Sequence, residues 1–196
     1  MTEESDIYAQ VTPNPNTLKF VVNKSILPEA LTSLSFDKVD NRIPIVSDLF
    51  AIDTVEAVMI GQTFISVTKK PGAQWGDMAE TVTRVIKAGV VTPLIPDADY
   101  ASVVADFENQ KEEEESDIIQ RIKHILNDEI RPAVAMDGGD VQFKSFDNGI
   151  LTLQLQGACS SCPSATFTLK MGIENRLKED IPEIVSVVQD GVADLF

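Results

Sequence analysis

The chain has 196 residues, of which 43% are hydrophobic, enough apolar surface for one large domain or two small ones. Its formal net charge of -15 argues against nucleic acid or an anionic membrane as partner, since both select for lysine and arginine. No run of about 18 apolar residues occurs, which excludes a helical membrane span, and the opening MTEESDIYAQ has neither the basic and apolar regions of a signal peptide nor the arginine-rich character of a transit peptide. The expected compartment is therefore the cytosol, or the chain has already been processed.

In chain order, TLKFVVN (17–23) reads as a strand with Leu18, Phe20 and Val22 on one face, and the preceding TPNPN as turn residues that leave the strand start exposed. Ser47 is the expected cap of a short helix over DLFAI. VEAVMI and FISVTK, separated by Gly61, Gln62 and Thr63, carry a hairpin signal. After the break at Pro71 and Gly72, apolar residues recur at helical spacing from Trp75 through Met78, Val82, Val85 and Ile86, with Gly89 as the stop. Trp75 is expected to pack the first turn of that helix onto the sheet. The first half is thus an α+β domain whose residue chemistry names no function.

Residues 97–117 carry nine acids against one lysine, with Pro93 and Pro96 before them. That composition is expected of a connector between two domains, helical in part from Tyr100 to Lys111. It gives domains at 1–95 and 117–196, with an acidic linker at 96–116.

A helix from Asp117 should end near Arg131, because Pro132 disfavours helical geometry in the residue before it. His124, the single histidine, shares a face with Asp117, Arg121 and Asp128 and is expected to be solvated, which leaves Ser-His-Asp or Cys-His catalysis without support. Asp137 to Asp140 (DGGD) reads as a turn. VQFKSF and ILTLQLQ follow as two strands around Asp147, Asn148 and Gly149, with Leu151, Leu153 and Leu155 on the buried face, and Val185 to Val188 form a third. An amphipathic helix runs between them from Pro163. The fold class is α+β, two small domains, the second of order α-β-β-α-β.

Cys159 and Cys162, the only two cysteines, fall on the loop between the second strand and that helix. Too few for a disulfide framework, they point to metal or redox chemistry. Free N–H groups and the positive helix end stabilise a thiolate there. Gly157, Ala158, Ser160 and Ser161 leave room for a bulky inorganic group, and no acid lies between Gly149 and Gly172 to repel an anionic one. A CxxC alone leaves a zinc half-site, a redox dithiol, a cluster ligand pair and an incidental pair open. Common sites take four ligands, so a complete cysteine site needs two copies of the chain.

The stretches DGGDV (137–141), GIL (149–151), GACSSCPSATFTLKMGIENRLK (157–178) and IPEIVSV (181–187) resemble the NifU carboxy-terminal domain, the Nfu-type iron-sulfur scaffold. TPNPNTLKFVV with SDLFAID, FISVTK and the tryptophan-led helix is similar to the Nfu amino-terminal domain. Ala165 departs from a second serine common in relatives after CPS, at no ligand position. The resemblance implies a 4Fe-4S cluster bridged between two subunits by Cys159 and Cys162 of each. It leaves a 2Fe-2S form open and makes the chain a non-enzymatic homodimeric carrier. It also implies transfer to apo iron-sulfur proteins. Exposed loops are expected to release the cluster, upstream assembly proteins are expected as further partners, and the first domain is expected to recognise recipients or set dimer geometry. A thiol-disulfide oxidoreductase and a zinc-bridged structural dimer are the competing readings.

Overall fold

A computed structural model describes residues 7–28, 31–90, 94–108, 117–160 and 163–190, with the side chains of 106–108 and 163–170 outside that description. The chain forms two α+β halves. In the first, β1 (Ile7–Val11), β2 (Thr17–Val22), β3 (Ser33–Phe36), β4 (Val55–Gly61) and β5 (Phe64–Lys69) make an antiparallel sheet of order β1-β2-β5-β4-β3. α1 (Pro44–Phe50) and α2 (Trp75–Gly89) cover one face of it.

Because side chains alternate across a sheet, the register sorts this one into two rows. Phe20, Ile65, Ile60 and Leu34 stand opposite one another across β2, β5, β4 and β3. They face Met78, Val82 and Ile86 of α2 in the first core. Trp75 meets Phe20 edge to face at 6.5 Å and donates from Nε1 to the Pro15 carbonyl, the packing role expected of it. The adjacent row, Lys19, Ser66, Met59 and Ser35, points the other way. In a two-layer fold that face would meet water, but Ser66 and Met59 are each 1% exposed, because the second half of the chain lies on it.

Local details depart from expectation. α1 starts at Pro44, whose fixed φ suits a first helical turn, so Ser47 sits inside the helix, where its hydroxyl donates to the Asp40 carbonyl. The TPNPN turn is not exposed throughout, since Asn14 is buried. Helix α3 (Asp97–Glu108) occupies part of the acidic stretch and buries Val103 against the first core.

The second half opens with α4 (Asp117–Ile125), a π-helical turn at Leu126–Ile130 and α5 (Arg131–Met136). The helical path therefore does not stop at Arg131. The wider turn lets the Arg131 N–H reach back to the Leu126 carbonyl, and Pro132 falls in the first turn of α5, where a missing N–H costs least. β6 (Gly139–Asp147) and β7 (Ile150–Gly157) form a hairpin, α6 runs from Pro163 to Asp180, and β8 (Ser186–Gln189) returns parallel to β7. Leu151, Leu153 and Leu155 of β7 enter a second core with Ile122, Ile125, Val134, Ile173 and Leu177. No described helix is long and apolar enough to cross a membrane.

Candidate functional site

The cysteine loop begins where β6 and β7 end side by side, with Gly139 paired to Gly157. Gly157 has φ +62°, a left-handed turn that sends the chain off the strand; a Cβ there would lie 2.6 Å from the Gly138 carbonyl and 2.8 Å from Met59 Sδ. Ala158 then donates its N–H to the Gly138 carbonyl at 3.1 Å, and the Ser160 hydroxyl donates to the Gly157 carbonyl at 2.9 Å. Cys159 follows, 3% exposed and packed into the second core. Its sulfur fits because Gly139 has no side chain: a Cβ at 139 would come within 2.5 Å of Cys159 Sγ. The expectation that this thiol sits on an exposed loop is therefore corrected. Cys162 lies outside the described residues.

DGGD does more than turn the chain. Gly138 offers its carbonyl to Ala158 from one side and to the Ser66 hydroxyl, at 2.6 Å, from the other. Asp140 is a buried carboxylate gripped from two directions. Arg131 Nε donates to Oδ1 at 2.8 Å and Nη2 to Oδ2 at 2.5 Å, the bidentate pairing that best satisfies a desolvated carboxylate, while the Ser33 hydroxyl of β3 donates to Oδ2. Arg131 also donates to Thr32 Oγ1 at 2.7 Å and Asn127 Oδ1 at 3.0 Å. The π-helical turn immediately precedes this arginine.

The remaining contacts from the first half converge on the same place. Asn14 Nδ2 donates to the Ala158 carbonyl at 3.1 Å, and the Ser35 hydroxyl donates to Gln156 Oε1 at 2.9 Å. Lys19 Nζ donates to the Ala135 carbonyl at 2.6 Å, at the α5 C-terminus where a cation meets the negative end of the helix dipole. Burial pushes the Lys19 pKa below its ordinary value, with Asp137 pulling the other way. Sequence reasoning found Cys159 but missed Arg131, Asp140, Ser33, Ser66 and Asn14, all of which hold the loop or its neighbours. His124 is 75% exposed beside Asp128, as expected. Among the described residues no three His, Cys, Asp or Glu side chains cluster so as to hold a metal ion.

Cys159 thus stands at the end of a strand before a helix, on an α-β-β-α-β unit. Residues 122–188 match the model of the NifU-like domain and residues 7–92 that of the scaffold protein Nfu/NifU N terminal. The chain belongs to the Nfu/NifU family of iron-sulfur cluster scaffolds. It is 38% identical to the NFU1 iron-sulfur cluster scaffold homolog, mitochondrial, of Homo sapiens, across 93% of this chain and 71% of that one. It is 36% identical to a NifU-like protein of Schizosaccharomyces pombe, across 93% and 72%. The solution structure of a NifU-like protein from Saccharomyces cerevisiae is similar with TM-score 0.44 and 20% identity, over 47% of this chain and 86% of that one.

The cytosolic expectation is overturned by relatives whose names carry a mitochondrial designation, the human protein and one of Drosophila willistoni, 39% identical across 93% of this chain and 63% of that one, among them. The physical reason is that a targeting leader is recognised and removed separately from the folded domains, whose composition does not report the compartment.

Proposed function

We propose that this protein carries a labile 4Fe-4S cluster between two copies of the chain, held by Cys159 and Cys162 of each, and hands it to apo iron-sulfur proteins in the mitochondrion. The cluster is cargo rather than a resident group. The observation that supports this most is the position of Cys159 at the β7 end, just before α6, in a chain of a scaffold family. Two thiolates from each chain make up the four-cysteine coordination, and a bridge of this kind is released when the pair separates or a recipient's thiolates exchange in. Only iron–thiolate bonds are exchanged, those to Cys159 and Cys162 for those to the recipient's cysteines, and the cluster passes on unchanged, so the role is carriage and not catalysis. The same reading divides the chain into an amino-terminal domain at 1–95, an acidic connector at 96–116 and the cluster-binding domain at 117–196.

Anaerobic reconstitution with iron and sulfide, followed by visible absorption, iron per chain and mass by light scattering, tests this. A brown dimer with about two irons per chain is expected. Cys159→Ser and Cys162→Ser should each abolish uptake and leave the fold intact. A stable cluster in either variant removes the assignment, and a colourless monomer that reduces insulin moves the chain to the thiol-disulfide oxidoreductases.

A further inference from the structure

The outward row of the amino-terminal sheet touches the carboxy-terminal half where the cysteine loop is anchored. Met59 belongs to neither core, yet it is 1% exposed and lies against Gly157. Ser66 holds the Gly138 carbonyl, Asn14 holds that of Ala158, and Ser33 reaches Asp140. These contacts fix residues 138, 140, 157 and 158 around a thiol that is itself 3% exposed. A cluster bridged between two chains requires the opposite, a Cys159 sulfur that emerges from the surface and a loop that a second chain approaches closely.

We propose that the amino-terminal sheet is an intramolecular lock on the cluster-ligand loop: docking of the row Lys19, Ser66, Met59 and Ser35 and bridging of a cluster between two chains exclude one another, so that loading requires the halves to part. The inference rests on the carrier reading above. The lock is mostly polar, a set of single hydrogen bonds around one methionine, and a polar interface within a chain opens more readily than an apolar core. Coupling is reciprocal: whatever weakens docking favours loading, and loading drives undocking.

Two measurements on the full chain test the lock. The first is the rate of Cys159 alkylation by iodoacetamide without iron, in a Cys162→Ser background so that one thiol reports. Ser33→Ala with Ser66→Ala removes two interface hydrogen bonds while leaving both cores untouched, and raises that rate about 25-fold if each contributes a factor of about 5 to the closed population. Thr83→Ala, on the far helix α2, leaves it unchanged. The second is anaerobic iron and sulfide uptake with both cysteines present, where the Ser33→Ala, Ser66→Ala chain loads faster than the parent. In the unmodified chain, loading speeds hydrogen exchange at the β5 and β7 amides. An unchanged alkylation rate, or equal uptake rates despite faster alkylation, overturns the lock and leaves the carrier standing. Faster alkylation with no iron uptake by any chain removes the carrier reading, and the competition with it.

Discussion

Arg131 and Arg176 both stand on helices of the carboxy-terminal half and both grip a carboxylate with two nitrogens, in surroundings of opposite kind. Arg131 is 17% exposed and its partner Asp140 8%, beneath the amino-terminal sheet. Arg176 holds Glu129 at 2.7 Å through Nε and Nη2 and Asp180 at 2.7 Å through Nη1, on an open surface where Glu129 is 47% exposed. Identical geometry does not mean identical weight. Desolvation makes the first pair costly to leave half-made, while water and salt can replace either partner of the second.

Arg131→Ala should therefore be the most disruptive change, costing about 3–5 kcal/mol of unfolding free energy in denaturant titration because it strands the Asp140 carboxylate. Replacing both partners, Arg131→Met with Asp140→Leu, should recover most of that loss while the contacts to Ser33 and Thr32 stay broken, which separates folding from docking. Gly139→Ala comes next, about 1–3 kcal/mol, since its methyl collides with Cys159 Sγ. Arg176→Ala should shift the thermal midpoint by no resolvable amount, and least of all at 1 M salt. Titration sharpens the contrast. Hydrogen bonding to Arg176 holds the Glu129 carboxyl below its ordinary value of 4.5, so whatever that pair contributes is present above 4.5 and fades as the pH falls through the lower folded value. Because Glu129 lies in water, Glu129→Gln should leave the acid limb within error of the parent's. A clearly flattened limb would show that the surface network does report on folding.

The elements that alternation or helical spacing marks strongly were legible: β2, the β4–β5 hairpin, α2, β6 and β7. β1 was not, because four of its five residues are exposed and no periodicity betrays an edge strand. β3 is four residues long, too short to show a period. Of the site, Cys159 was legible from its CxxC and flanking small residues. The contacts around it were hidden by residue type: Ser66 and Thr68 alternate with Ile65 and Val67 as solvent-facing residues would, yet all six residues of β5 are buried. Only the placement of a second domain on that face explains them. Asp140 reads as a turn acid, and its partner nine residues earlier lies beyond a proline that reads as a helix end in sequence but falls in the first turn of α5.

The π-helical turn at Leu126–Ile130 sets the rotational phase between two stretches of one rod. An α-helix advances about 100° per residue, so removing a single residue there would smooth the helix while twisting α5 by about that angle against α4. Either Ile122 and Ile125 would leave the core or Arg131 would swing away from Asp140. One irregular turn thus lets the same helix serve a hydrophobic interior with one end and a buried carboxylate with the other, and a length change of one residue would force a choice between them.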